Sequence, residues 1–219
     1  MGCTGSAYEH VPVTGHQGGP LEVIPNNQQY VKQEETILKL KEKFFSFSGD
    51  DFVIKDLSKN VWFKINAETF SMSNKRTMMD SEGREIAGYR KKLLSMHATA
   101  YITGEDGGKT MVYATVKKES MMSMVASAEI FIHNPPMDID NVATDGLIPK
   151  IRVEGDFFAK EYDFMMGNRD NPYKVAKVVR KWMTSWENNC YFVNIGTNVD
   201  VAFICMCAMA IDELFCEKK

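Results

Sequence analysis

The sequence has few cysteines and no glycosylation signal, and both absences restrict where the protein can act. Its five cysteines are an odd number and include no Cys-x-x-Cys pair. No secretory hydrophobic region opens the chain, and no Asn-x-Ser/Thr acceptor occurs in it. This pattern is typical of a reducing compartment, where thiols serve as small apolar side chains. The sequence therefore predicts a cytoplasmic protein.

An excess of charge of one sign is also missing. The formal net charge is −3 at pH 7, although 25% of the residues are charged. Such a balance gives no support for bulk electrostatic binding of nucleic acid, so we expect no nucleic-acid partner, while local basic patches remain possible. With 219 residues, of which 44% are hydrophobic, the chain can build one domain with a substantial core.

An uninterrupted apolar stretch lies near the C-terminus. From Val201 to Ile211 every side chain is apolar or small, and Asp200 and the pair Asp212–Glu213 bound this run. A helix that is apolar on every side is buried in protein or in lipid. The run rises only about 16 Å, whereas a bilayer core requires about 30 Å. The stretch therefore predicts a helix that fills the interior of the protein.

The chain before this helix shows the pattern of antiparallel strands. Leu38 and Leu40 alternate with lysines, which indicates a strand with one face in water. Apolar-Ser-apolar triplets recur about every 25 residues, a period that suits successive hairpins. Their central residues are Ser46, Ser71, Ser95 and Ser123. Many antiparallel strands followed by an apolar helix predict a mainly β protein, a closed barrel around that helix.

Turns and one long connection divide the predicted strands. Polar or glycine-rich turns are expected at Asp56–Asn60, Asp80–Gly83 and Gly104–Gly108. An irregular segment is expected from Asn134 to Pro149. Strands then resume, and we place the folded domain at residues 34–219.

The N-terminal segment suggests attachment to a membrane. Met1 to Ser6 matches the acceptor pattern for myristate on Gly2, and Cys3 is well placed for palmitate. Two acyl chains anchor a protein stably, whereas one does so only marginally. The alternative is an ordinary unmodified start. From Ala7 to about Gln33 the composition predicts a flexible tether, so residues 1–33 are interpreted as a lipidated tether.

Three blocks of sequence resemble LURP-one-related proteins. They are Glu42–Asp50 with Phe52–Asp56, Lys92–His97, and Asn198–Ile204. This family is placed in the tubby C-terminal-like superfamily, which also contains the phospholipid scramblases. The resemblance implies a barrel of about twelve strands around a central helix, and proteins that bind ligands or membranes. It departs from the scramblases at Glu187–Phe192, where one carboxylate and two amides are poor ligands for Ca²⁺.

Basic residues recur at predicted strand ends. Tubby-type domains bind phosphoinositides through basic strand residues, so the resemblance implies headgroup contacts for two groups. These are Arg90, Lys91 and Lys92, and Lys117 with Lys118. A third basic group consists of Lys174, Lys177, Arg180 and Lys181. The alternative is an ordinary solvated exterior, because acidic residues lie between the basic ones.

The sequence patterns that resemble catalytic or metal-binding motifs each lack a feature that the motif requires. Gly104–Thr110 imitates a phosphate-binding loop, but a strand follows it where the mechanism requires a helix. Asp138-x-Asp140 resembles the start of a Ca²⁺-binding loop. In this chain, however, Pro149 occupies the position at which such a loop has a bidentate Glu. No nucleophile, base and acid occur as a set, so we expect neither an enzyme nor a bound metal or cofactor.

Two functional classes remain. The first is a lipid-anchored, non-enzymatic module on the cytoplasmic face of the plasma membrane that binds phospholipid headgroups or a protein partner. The second is a scramblase-like lipid transporter, in which the last helix would have to enter the bilayer.

Overall fold

The computed structural model describes residues 12–41, 52–67, 75–92, 98–119, 127–180 and 190–216. Within them, two short strands, β1 (Val31–Lys32) and β14 (Val199–Asp200), pair outside the barrel, and one α-helix, α1, spans Val201–Cys216. The barrel strands are β2 (Thr36–Lys41), β3 (Phe52–Asp56), β4 (Val61–Ala67), β5 (Arg76–Asp80), β6 (Glu85–Lys91), β7 (Thr99–Asp106), β8 (Lys109–Lys118), β9 (Ser127–Asp138), β10 (Ile151–Asp156), β11 (Glu161–Gly167), β12 (Pro172–Val179) and β13 (Cys190–Ile195).

These twelve strands form a closed antiparallel barrel in which each strand pairs with its neighbours in sequence. The ring closes where β13 pairs with β2, with Ile195 opposite Thr36. Closure leaves no free sheet edge in this ring, which an open meander would expose. The prediction of a closed antiparallel barrel is confirmed. The four apolar-Ser-apolar triplets that suggested the hairpins lie outside the described residues.

Helix α1 occupies the barrel interior, as the apolar stretch predicts. Residues 201–215 are all buried, including Cys205 and Cys207. Burial raises the pKa of both thiols, so they remain protonated and act as small apolar side chains. Among the described residues, no helix combines the length and the apolar character needed to cross a membrane.

The far end of α1 is fixed by aromatic stacking and by a buried ion pair. The rings of Phe157 and Phe215 stack with centroids 3.9 Å apart. Lys160 is buried and pairs with the buried carboxylate of Asp212. We call this end of the barrel, where β6, β8 and β10 finish, the helix-end rim. Asp212 therefore bounds the apolar run without preventing its burial, because it has a cationic partner inside.

The N-terminal segment differs from the predicted tether. Residues 12–32 pack against the barrel end at which α1 begins, and Val23, Ile24 and Asn27 are buried there. Strand β1 pairs with β14, immediately before the helix. The composition of this segment is typical of a flexible chain, but its order comes from contacts with residues far away in sequence. Residues 1–11 lie outside the described part.

One carboxylate joins residues 12–32, which we call the arm, to the helix. Asp200 Oδ2 accepts hydrogen bonds from the backbone N–H groups of Val23 (3.3 Å) and Ile24 (3.1 Å). Its Oδ1 accepts from Asn27 Nδ2 and from Phe203 N, both at 3.0 Å. Asp200 thus caps α1 and holds the arm at the same time. Burial raises the pKa of Asp200 to about 6, and these hydrogen bonds offset only part of that effect.

The segment expected to be irregular is partly a strand. Strand β9 continues through Pro135 and Pro136 to Asp138 and includes a cis peptide between Asn134 and Pro135. Met137 and Asp138 still pair with β8, opposite Val112 and Met111. A 3-10 turn, Ile139–Asn141, follows. The prolines were misleading because the ladder shifts register at this point, so that the strand resumes beyond them.

The substitution Ala208→Arg tests the interior position of α1. Ala208 is fully buried, and its carbonyl accepts a hydrogen bond from Tyr162 Oη at 3.4 Å. An arginine there would overpack the interior and bury an unpaired cation, at a cost of several kcal/mol. We expect loss of the cooperative thermal transition. Ala143→Arg, at an exposed position, is the matched control. A normal melt of the Ala208 variant would contradict a packed interior.

The substitution Asp200→Asn tests the buried carboxylate through pH. A folded pKa near 6, above the ordinary 3.8, means that the folded state binds the proton more tightly. The resulting stabilisation is complete below pH 3.8 and is lost as pH rises through 6. When the pH is lowered from 7.5 to 5, the free energy of unfolding of the wild type should therefore rise by about 1 kcal/mol relative to that of the variant. Denaturant unfolding at both pH values measures this, with Asp140→Asn as the exposed control. If the difference in free energy of unfolding between wild type and Asp200→Asn is the same at both pH values, the raised pKa of Asp200 is contradicted.

Candidate functional site

The five basic residues predicted to bind headgroups lie together at the helix-end rim. Arg90, Lys91 and Lys92 finish β6, and Lys117 and Lys118 finish β8. The first residues of β7 lie between them, because Lys92 N donates to Thr99 O at 2.9 Å and Thr99 pairs with Lys117. The barrel thus joins two groups that are about 25 positions apart in the chain.

The strand register divides these residues between two faces. Arg90 pairs with Tyr101, and Lys117 pairs with Thr99, so Arg90, Lys92 and Lys117 lie on the outer face of the barrel. We call these three residues the basic face. Lys92 is exposed, and the other two are half-buried. Lys92 and Lys117 lie on either side of Thr99. Their backbones are roughly 10 Å apart, which corresponds to two strand spacings.

Lys91 and Lys118 belong to the inner side of the rim. Lys91 pairs with Ala100 and Lys118 with Ala128, and both alanines are fully buried. The Lys118 Nζ lies 4.4 Å from the ring centroid of Phe215, a cation–π contact at the end of α1. Lys118 therefore closes the barrel around the helix, and the predicted set does not form one surface.

The basic face has polar and aromatic neighbours on the same outer surface. The Lys92 Nζ lies 5.8 Å from the ring centroid of Tyr101. The hydroxyl of Thr115 and His133 Nε2 are hydrogen-bonded at 2.9 Å. Burial lowers the pKa of His133, which favours its neutral form. Thr115, His133 and Tyr101 are themselves buried, so a phosphate ester at this face would contact the cations, because lysine and arginine both pair with phosphate oxygens.

Part of the positive charge is already paired. Arg90 Nη2 lies 3.8 Å from Glu105 Oε1. In the third basic group, Lys174 and Lys177 approach Asp163 at 2.8 and 3.6 Å. This third group therefore fits a salt-bridged exterior better than a binding surface. Exposed Lys92 and half-buried Lys117 are the stronger candidates for ligand contacts.

The register also reveals residues that the sequence did not indicate. Lys117 pairs with Glu129, Glu129 with Arg152, Arg152 with Met165, and Met165 with Lys174. We call Lys92, Lys117, Arg152 and Lys174 the cationic row, which Glu129 interrupts. Arg152 and Glu129 are far from the basic motifs in sequence. Only knowledge of which strands pair, and in which register, could have found them.

The predicted lipidation sites Gly2 and Cys3 lie outside the described residues. The described arm begins beside β12, where Thr14 N donates to Lys174 O at 2.9 Å. Within the ranges that the structure describes, no group of three or more His, Cys, Asp or Glu side chains could hold a metal ion. Half of the segment compared with the scramblase Ca²⁺ region, residues 187–189, lies outside those ranges.

Comparisons with known proteins agree with this architecture. The family model for LURP-one-related proteins matches residues 36–212. Protein LURP-one-related 15 of Arabidopsis thaliana is 26% identical over 204 residues, which cover 90% of this chain and 87% of that protein. YxjI of Bacillus subtilis is 26% identical over 175 residues, covering 80% of this chain and 91% of that protein.

A solved structure shows the same fold. An X-ray structure of an Arabidopsis thaliana protein superposes with a TM-score of 0.59 at 19% sequence identity, covering 88% of this chain and 98% of that one. At this identity the likeness supports the fold alone. The family match spans all twelve barrel strands and most of α1. The chain therefore belongs to the LURP-one-related family.

Proposed function

We propose that this protein is a non-enzymatic module that binds anionic phospholipid headgroups, phosphoinositides among them, at the cytoplasmic leaflet of the plasma membrane. The observation that carries the proposal is the basic face. Arg90, Lys92 and Lys117 come from two separate sequence motifs and share the outer surface of adjacent strands. A headgroup phosphate between Lys92 and Lys117 would have cations on both sides and the Thr99 side chain beneath it.

The basic face alone gives weak attachment. Each basic residue near an anionic leaflet contributes about 1 kcal/mol, so three contribute roughly 3 kcal/mol. Stable residence requires a further anchor, and acylation of Gly2 and Cys3 would supply it. The cations would then select the lipid, while the acyl chains would keep the protein at the membrane.

The chain is long enough for both contacts to reach one bilayer. From Thr99 to Lys174 the register crosses five strand spacings, about 24 Å along the surface. The arm joins the barrel at Lys174. The residues between Gly2 and Pro12 span at most about 36 Å when extended. An acyl group on Gly2 can therefore reach the same membrane surface as the basic face.

The buried helix favours this module over a lipid transporter. Transport by the last helix would require α1 to leave the barrel. The apolar side chains of α1 are already covered, so transfer to lipid would gain little hydrophobic free energy. It would also break the Lys160–Asp212 pair and the hydrogen bonds of Asp200. For these reasons we place the function on the barrel exterior.

Reversing the charge of the basic face should weaken membrane binding. We expect Lys92→Glu with Lys117→Glu to reduce binding to phosphoinositide-containing vesicles at least about tenfold, because two attractive charges become repulsive. The loss should shrink as salt rises. Vesicle co-sedimentation measures both effects. Lys59→Glu with Lys109→Glu is the matched control, since it makes the same change of net charge at exposed positions at the other end of the barrel. Equal loss in both variants would contradict a specific face.

Removing the myristate acceptor should release the protein from membranes. Gly2→Ala deletes the myristate site and, with it, the membrane residence on which palmitoylation of Cys3 depends. We expect the variant to move from the membrane to the soluble fraction on cell fractionation, whereas Gly5→Ala should not. Intact mass spectrometry of the N-terminus supplies a direct check. Retention of Gly2→Ala in the pellet at the parent level would rule out the acyl anchor.

A further inference from the structure

The cationic row contains one acidic residue at its centre. Glu129 on β9 pairs with Lys117 on β8 and with Arg152 on β10, so all three side chains share the outer face. Each of the three is half-buried. Cross-strand neighbours on one face have Cβ atoms about 5 Å apart. The side chain of Glu129 therefore neighbours two cations, and its negative charge partly cancels the potential that each presents to a ligand.

We propose that Glu129 and its two neighbours, Lys117 and Arg152, form a proton-coupled site for the phosphate of an anionic lipid headgroup. When Glu129 is ionised, it competes with the lipid phosphate for both cations. When it is protonated, this competition ends, and Lys92, Lys117 and Arg152 are open to the phosphate. This inference rests on the proposed function, and it adds Arg152 as a ligand contact and Glu129 as the residue that controls binding.

The surroundings of Glu129 favour its protonation. Burial is the largest influence and raises the pKa of Glu129, and Glu119, which follows β8, raises it further. Lys117, Arg152 and Arg169, from the turn after β11, act in the opposite direction and do not restore the ordinary value. Glu129 therefore takes up a proton at a higher pH than a solvated glutamate.

Ligand and proton should bind cooperatively. A phosphate drawn to Lys117 and Arg152 brings negative charge to Glu129 and makes its ionised form less favourable. By thermodynamic linkage, the lipid raises the proton affinity of Glu129 by the same factor by which protonation raises the lipid affinity. An anionic membrane also concentrates protons at its surface, which acts in the same direction.

Arg152 has a predicted role that can be separated from the basic motifs. It pairs with Glu129 on one side and with Met165 on the other, and it is distant in sequence from Arg90–Lys92. Arg152→Gln removes one cation from the row and should lower affinity for anionic vesicles about fivefold. Lys59→Gln removes an exposed cation at the opposite end of the barrel and should change affinity much less.

The decisive experiment compares wild-type protein with Glu129→Gln on phosphatidylcholine vesicles with and without phosphoinositide. The amide keeps the shape of the side chain and removes its charge. At about pH 7.5 we expect the variant to bind the anionic vesicles about fivefold more tightly than wild type. Wild-type binding should strengthen as pH falls towards about 5.5, and binding of the variant should change little. Glu161→Gln, at an exposed strand position, is the control.

A second measurement follows the proton directly. Titration calorimetry in two buffers of different ionisation enthalpy should show proton uptake when wild type binds the vesicles, and less uptake with Glu129→Gln. A soluble inositol phosphate that competes with the vesicles would identify the headgroup phosphate as the ligand. Failure to compete would indicate that the bilayer surface is required.

The outcomes separate this inference from the proposed function. Wild-type protein that binds anionic vesicles with the same affinity and pH dependence as Glu129→Gln would overturn the proton-coupled site and leave the headgroup function standing. Absence of binding by every variant at every pH would overturn the headgroup function itself. Thermal unfolding confirms that each variant is folded, as the outer position of Glu129 and Arg152 leads us to expect.

Discussion

Burial of α1 inside the barrel is the constraint on which the rest of the structure depends. Twelve strands enclose more space than their own side chains fill, and the helix occupies it with small and apolar residues. Every inward strand position must therefore match the helix, which leaves function to the outer face and the rims. The same arrangement explains why the basic residues split into two groups. Lys118 closes the end of the interior, whereas Lys117, one residue earlier, faces outwards.

Much of this architecture could be predicted from local patterns. The run from Val201 to Ile211 has no polar side, and only an enclosing structure can satisfy such a helix. Alternation at Leu38 and Leu40 correctly indicated strands with one buried face, and both residues are fully buried. These signals are reliable because each depends on a few neighbouring residues. The turns at Asp56–Asn60 and Asp80–Gly83 were found for the same reason, since their carboxylates bond to nearby backbone groups.

What sequence reasoning missed depends on contacts between distant residues. The arm looked flexible because its order comes from Asp200, which is 177 positions away from Val23. The charge at Arg152 gained meaning only through its register with Glu129. Likewise, nothing local distinguishes Lys91 from Lys92, yet a strand places them on opposite faces. A pattern can show that a residue lies in a strand, but its face and its neighbours are set by the whole ring.

The position of α1 in the chain has a consequence for biosynthesis. All twelve barrel strands leave the ribosome before the helix that fills them, and the arm that Asp200 holds is translated earlier still. The inner faces of the strands therefore remain uncovered until the last segment emerges. Such long-range closure is slow, and exposed apolar strands invite association with other chains. A nascent chain of this kind is therefore most prone to association with other chains until its final helix has emerged.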